Sequence, residues 1–469
     1  MSFHLLSVCA FSMSFNKGIY SEMCIYCIKI NEGKEEFMII YRVKKGDTLY
    51  NIAKRFGTSP QMIARDNEIN DPRALVVGQT ILIFQPRQTY TVKRGDSLYS
   101  IADEFGVSIN SLFRNNAFLG GNYDLTQGQV LTVVPEDTVY NREISTNVYI
   151  YPNIDREILK KTLPYLTYMT VFAYGIEEDG ELIELDDGEV IELARQYGVA
   201  PIMLVATLNE DGKFSSQVAE RVLGDVDVRN TLIEEIATTL SEKRYTGVDI
   251  DFEYVPAEYA EAYAQFIRAL RARLEPLGFS VFVSLAPKTS DTQEGLLYEG
   301  HDYSALGEAA DRAFLMTYEW GYTYGPPMAV SPLNKVEEVI RYGVSRIPPE
   351  KIVMGVPNYG YDWKLPFVQG ESRAYSVGNT QAVELAREKR SVIEFDEISA
   401  APYFNYFDRV NGGAREHVVW FEDAQSIASL IDLVERYRLD GVGVWNGMRW
   451  FSQIWQVINS IYRIRKILR

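Results

Sequence analysis

The chain has 469 residues, 46% of them hydrophobic and 24% charged, a balance that excludes wholesale disorder and a length that suits about two to four domains. Its net charge of −17 is uneven: residues 41–135 carry 11 basic against 8 acidic side chains, so the acidic excess falls on the rest and argues against a nucleic-acid partner. Three cysteines confined to the first 27 residues and three scattered histidines leave little basis for a catalytic thiol, a disulfide framework, a Cys/His metal centre or a Ser-His-Asp triad.

Chemistry in this chain therefore rests on carboxylates and tyrosines, with no cofactor or metal implied. Its 31 Tyr and 6 Trp would suit sugar-binding grooves, because a pyranose C–H face stacks on an aromatic ring. A large core with a Tyr-rich surface accounts for part of that surplus.

Residues 1–37 hold Cys9, Cys24 and Cys27 and an apolar run, Phe3–Phe15, with no Lys or Arg before it. That run fits neither a secretory signal nor a bilayer span. The expectation is a disordered tail or a reading-frame extension, with the natural start at Met38. No later apolar run reaches the length of a membrane segment.

An internal repeat follows. Tyr41–Gly57 (YRVKKGDTLYNIAKRFG) recurs as Tyr90–Gly106 (YTVKRGDSLYSIADEFG), and both copies later reach an Asn (Asn67, Asn116) and a Gly-Gln pair (Gly78, Gly128). In the first copy a strand at Tyr41–Val43 meets a Gly46-Asp47 turn, and Asp47 or Thr48 caps a helix. Leu49, Ile52, Ala53 and Phe56 share one face of that helix, and Gly57 ends it. A second helix over 60–65 and a strand over 80–84 complete a βααβ unit, whose small core suits binding better than catalysis. The pattern resembles the LysM module over 41–85 and 90–135. That resemblance implies binding of N-acetylglucosamine-containing glycans between Gly46-Asp47-Thr48 and the loop before Gly78, and between Gly95-Asp96-Ser97 and the loop before Gly128. Turn and cap chemistry is the alternative role for each of these residues.

From 138 to 469 eight apolar β-rich runs alternate with amphipathic stretches: 148–151, 167–174, 201–207, 247–252, 280–286, 312–318, 351–357 and 441–445. This predicts an α/β fold, a (β/α)8 TIM barrel with its chemistry at the C-terminal strand ends. A doubly wound sheet is the alternative, but no Gly-rich phosphate loop follows the first strand. The long gap over about 362–420 predicts a small α+β insertion beside the groove, or else an edge subdomain away from it.

The string Tyr245-Thr-Gly-Val-Asp-Ile-Asp-Phe-Glu-Tyr254 carries the most chemistry. Asp249, Asp251 and Glu253 are spaced by two and project from one face of a strand, while Val248, Ile250 and Phe252 face the outer helices. Close carboxylates raise one another's pKa, which would keep Glu253 protonated near neutral pH as a proton donor. Structural pairing would need buried cations, and Lys288, Lys364 and Arg449 are the obvious candidates.

This motif resembles the family 18 glycoside hydrolases, with support from Phe172-Ala-Tyr174, Ser284-Leu-Ala-Pro287, Met316-Thr-Tyr318 and Trp445. That family is substrate-assisted. The resemblance implies that Glu253 protonates the glycosidic oxygen and that Asp251 holds the substrate's acetamido N–H. Asp249 modulates Asp251, Tyr318 hydrogen-bonds the acetamido group and Trp445 floors the sugar. It also places Met316, Tyr174, Ala286, Tyr359 and Glu319 around the substrate, Glu319 standing where the family has Asp.

Tandem LysM-like modules ahead of such a barrel, with Val419-Trp-Phe-Glu-Asp423, resemble spore-cortex-lytic glycosidases. This implies a spore-associated N-acetylglucosaminidase acting on peptidoglycan; the charge and the short apolar runs point to neither a nucleic acid nor a membrane as partner, and a monomer is expected. A chitinase and a non-catalytic wall-binding spore-coat protein are the alternatives, and the presence of Glu253 speaks against the second.

Overall fold

The computed structural model describes residues 25–27, 38–71, 73, 75–84, 88–133, 142–209, 211–410 and 413–468. The expected tail over 1–37 lies outside the described residues except for Ile25–Cys27, which pairs antiparallel with Met38–Arg42 and makes the first module's sheet three-stranded rather than two-stranded.

Both modules fold from the same local rules. Thr48 caps the helix Leu49–Phe56 by accepting the Asn51 N–H at 3.1 Å, and Gly57 closes it in the left-handed region. Ser97 caps Leu98–Phe105 in the same way, with Gly106 at its end. Asp47 and Asp96 each fold the preceding turn: each accepts a backbone N–H, from Lys44 at 2.8 Å or Lys93 at 2.7 Å, and a tyrosine hydroxyl, from Tyr41 at 2.6 Å or Tyr90 at 2.8 Å. The repeated asparagines act as short strands. Asn67 accepts the Leu82 N–H at 2.7 Å and donates to the Leu82 carbonyl at 2.6 Å, and Asn116 does the same with Thr132.

The barrel strands are β1 (Glu143–Ile150), β2 (Tyr168–Ile176), β3 (Ala200–Ala206), β4 (Gly247–Asp251), β5 (Ser280–Leu285), β6 (Arg312–Leu315), β7 (Ile352–Pro357) and β8 (Gly441–Trp445). All eight are parallel, and the β8–β1 and β1–β2 pairings close the cylinder. The eight expected runs coincide with these strands, with shifts at their ends. β1 begins earlier because its alternating polar residues Ser145 and Asn147 face the barrel interior, where Asn147 bonds Thr170 at 2.8 Å. Outer helices bury one stripe each, as Leu232, Ile236 and Leu240 do on Val226–Glu242. No helix among the described residues is long and apolar enough to cross a membrane.

Between β7 and β8 stands the insertion, a five-stranded antiparallel sheet with the helix Asn379–Lys389. Its strands alternate cleanly. Phe404, Tyr406, Val419 and Phe421 pack with the helix residues Ala382 and Ala386 and with Val76 of the first module. Val418, with Tyr403 and Trp420, packs on the opposite face in a cluster that includes Tyr318 and Trp445. The insertion thus stands between the first module and the barrel mouth.

Both modules are docked on the barrel. Arg42 bonds Gln425 at 2.7 Å and lies 3.5 Å from Asp423, while Trp450 donates to Glu68 at 2.8 Å. In the second module Arg114 donates to the Pro164 carbonyl at 3.1 Å, and the Tyr197 hydroxyl to the Gly121 carbonyl at 2.7 Å.

Barrel closure hinges on Gly441, where an added Cβ would lie 1.8 Å from the Ser145 carbonyl oxygen on β1. Gly441→Ala should therefore cost about 1–3 kcal/mol or more. Gly188→Ala, with nothing within 4 Å of its Cβ, should stay within about 1 kcal/mol of the parent or gain slightly. Urea unfolding of both variants checks this, and equal midpoints would contradict it.

Candidate active site

Parallel pairing places β4 between β3 and β5, with Asp249 beside Leu204 and Phe282. The outward residues do as their pattern predicts. Val248, Ile250 and Phe252 are fully buried, and Phe252 stacks on Tyr263 and Phe266 of the covering helix with centroids at 5.5 and 5.4 Å.

The inward carboxylates are graded in depth. Asp249 is fully buried, Asp251 is nearly so, and Glu253 is half-buried just past the strand end. Asp249 accepts the Tyr149 hydroxyl at 2.8 Å and the Ser284 hydroxyl at 3.1 Å, from the strands β1 and β5. Burial pushes its pKa up to about 6 against the pull of those two bonds. Asp251 is raised well above the carboxylate range, first by burial and then by the charges of Glu253 and Asp249, and its Oδ1 has no hydrogen-bond partner. Burial lifts Glu253 to about 7. Near neutral pH it can therefore hold the proton that it donates.

None of the cations that could neutralise this row does so. Lys288 donates to the His301 carbonyl at 3.0 Å, Lys364 lies 5.1 Å over the Tyr375 ring, and Arg449 bonds Ser376 at 3.1 Å. Among the described residues no Lys, Arg or His pairs with Asp249, Asp251 or Glu253.

Aromatic rings surround the row. Tyr318 stacks nearly parallel to Trp445, with centroids 6.4 Å apart and 14° between planes. Burial and then the Asp251 charge raise the Tyr318 pKa well above that of a free phenol, so its hydroxyl keeps its proton. Phe172 and Tyr149 pack against Trp445 at 5.2 and 5.9 Å, and Met316 joins the same cluster. Beside it lies a cavity of about 240 Å³ lined by Glu319, Asn358, Tyr359, Tyr361, Ser376, Trp445, Asn446, Met448 and Arg449. Glu319 accepts the hydroxyls of Tyr359 and Tyr361 there, the latter at 3.0 Å.

One expected substrate residue, Tyr174, sits elsewhere, while Ala286 keeps the inward parity of Ser284 at the end of β5. A register shift on β2 between Val171 and Tyr174 leaves Phe172 at the cleft and turns Tyr174 to the helix layer. There its hydroxyl bonds Asp187 and accepts from Lys243 at 2.9 Å, and the ring is buried. Ala286 is fully buried, its N–H given to His301 Nδ1 at 2.9 Å and its carbonyl taken by Tyr303 at 2.6 Å.

His301 is the residue that sequence patterning did not single out for the site. It accepts at Nδ1, so Nε2 carries the proton and donates to the Phe252 carbonyl at 2.9 Å. Burial depresses its pKa to about 4, which keeps it neutral next to the carboxylate row. It ties the end of β4, one residue before Glu253, to β5. Tyr149 was not singled out either; it shares the inward face of β1 with Ser145 and Asn147, four and two residues before it.

The model of the glycosyl hydrolases family 18 matches residues 152–448, and that of the LysM domain matches 41–84 and 90–140. The chain is 38% identical over 434 residues to the cortical fragment-lytic enzyme of Bacillus anthracis, covering 91% of this chain and 99% of that protein. With its Bacillus subtilis namesake it shares 39% over 435 residues, covering 92% and 99%. The crystal structure of the spore cortex-lytic enzyme SleL of Bacillus cereus superposes with a TM-score of 0.77 at 36% identity, covering 92% of this chain and 99% of that one. The chain belongs to the glycosyl hydrolases of family 18 and carries two LysM domains ahead of its barrel.

Proposed function

We propose that the chain cleaves the glycosidic bond next to N-acetylglucosamine in spore-cortex peptidoglycan, by substrate-assisted catalysis with retention. One observation carries the reading: a buried row of carboxylates without counter-charge, ending in Glu253 with a pKa of about 7. Such a row suits proton donation followed by stabilisation of a cation. The names of its relatives support cortex as the substrate and association with the spore.

In this mechanism Glu253 gives its proton to the glycosidic oxygen as that bond breaks. The substrate's acetamido oxygen bonds to the anomeric carbon and forms an oxazolinium ion. Asp251, whose free Oδ1 faces no protein donor, accepts the acetamido N–H, and the negative charge left on the row once Glu253 has given its proton offsets the oxazolinium ion. Tyr318 donates to the acetamido oxygen, and its ring and Trp445 form the apolar floor. Water activated by Glu253 then opens the ion from the face the leaving group vacated, which restores the β configuration. Asp249 stays behind Asp251, held by Tyr149 and Ser284, and modulates its charge.

Glu253→Gln removes the transferable proton while keeping shape. It should lower turnover of purified cortex fragments by a factor on the order of 10² to 10⁴ and leave wall binding intact. Near-parental turnover, read by mass spectrometry of new reducing ends, would reject Glu253 as the acid. In the parent, log(kcat/KM) should fall with unit slope above about pH 7, because only the protonated form of Glu253 donates. A profile flat to pH 9 would contradict that assignment.

Ionisation also sets a stability cost. A raised carboxylate pKa means the folded state holds its proton longer, so stability is present below the unfolded value near 4 and is lost as pH rises through the folded one. Asp251→Asn should therefore gain thermal stability relative to the parent between pH 4 and pH 8, while losing most of its activity. Melting curves at both values test this, and a pH-independent difference would contradict it.

A further inference from the structure

The two LysM domains share a fold but not a surroundings. In the first, the loop before Gly78 is buried: Val76 is 5% exposed within the insertion's core cluster, and the Ile393 N–H donates to the Val77 carbonyl at 2.9 Å. A Cβ on Gly78 would lie 1.8 Å from the Ile393 carbonyl oxygen. In the second, Gly128 has the same backbone conformation (φ +87° against +89°) with nothing within 4 Å, and Thr126 and Gln127 before it are exposed. The sequences follow this difference, with Val76-Val77 at the buried loop and Thr126-Gln127 at the open one.

Ring chemistry separates the modules in the same direction. Tyr50 and Tyr99 occupy equivalent helix positions and are 66% and 65% exposed. Tyr99 stacks on Tyr123 at 5.8 Å and 19° between planes, and Tyr123 is itself 42% exposed on the loop leading to Gly128. Counting back from Gly78 by the same five residues reaches Arg73, whose side chain is 91% exposed and paired with Asp71. The second module therefore presents an aromatic platform beside an open loop, whereas the first has an arginine beside a covered one.

We propose that only the second LysM domain holds the glycan, on the Tyr99–Tyr123 platform, and that the first is a buttress spent on the insertion. This rests on the reading that these modules bind N-acetylglucosamine-containing glycan between their paired loops. Stacking of C–H faces on an exposed aromatic pair is the recognition chemistry, and the buried loop at 75–79 leaves the first module only half of the surface it would need.

Full-length chain carrying Glu253→Gln, so that the wall is not consumed, is pelleted with purified peptidoglycan over a range of wall concentrations. Tyr99→Ala with Tyr123→Ala should raise the wall concentration for half-binding at least about tenfold, and Tyr50→Ala should leave it unchanged. Tyr99→Ala alone repeats the test without disturbing the Tyr123 contact with Phe113. Equal losses from Tyr50→Ala, or parental binding by both Tyr99 variants, overturn the inference while the modules remain wall-binding. A Glu253→Gln parent that does not pellet overturns the reading of the modules, and this inference with it.

Discussion

Everything at the mouth of this barrel answers to one electrostatic constraint: three carboxylates along one strand and its end, facing inward, with no cation among the described residues to pair them. Burying one unpaired charge is costly, and three within one strand's reach would be prohibitive if all ionised. The surroundings resolve this with neutral donors and retained protons. Tyr149 and Ser284 satisfy Asp249, Asp251 keeps a bare oxygen, and Glu253 sits where water and substrate can reach it. His301 could have upset the balance by adding a titrating charge, but both ring nitrogens are occupied and burial keeps it uncharged.

The same constraint explains where the cations went. Lys288, at the end of the neighbouring strand, turns to a carbonyl oxygen instead of the carboxylates, and Arg449 turns to Ser376 across the insertion. A lysine beside Asp251 would stabilise the protein and lower the proton affinity on which the chemistry depends. Cost to stability and capacity for proton transfer are here two descriptions of the same placement.

Much of this was legible in the sequence, for stated reasons. Period-two spacing fixed which of residues 248–253 face in, and the 41–57 repeat exposed two modules, because both patterns are local. What was not legible depended on contacts distant in sequence. Tyr174 was expected in the cleft, but a register shift on β2 turned it outward, and no local pattern marks that shift. The backbone of Ala286 is held by His301 and Tyr303, fifteen and seventeen residues away along the chain. The turn and cap roles open to the Gly-Asp-Thr and Gly-Asp-Ser loops were legible locally, and both are taken: Asp47 and Asp96 fold the turn, and Thr48 and Ser97 cap the helix. Spacing alone could not foretell that Val76 belongs to the insertion's core.

The insertion has two working faces, and that arrangement bears on range. Its sheet carries Val76 of one LysM domain on one side and the rings that meet Tyr318 and Trp445 on the other. The second module, proposed to hold the glycan, is likewise fixed to the barrel through Arg114 and Tyr197, so the cleft cannot swing on a tether and its distance from the point of attachment is constant. An enzyme so built samples a polymer by letting go and landing again, and residence time on the wall, not linker length, sets how many bonds fall within one visit.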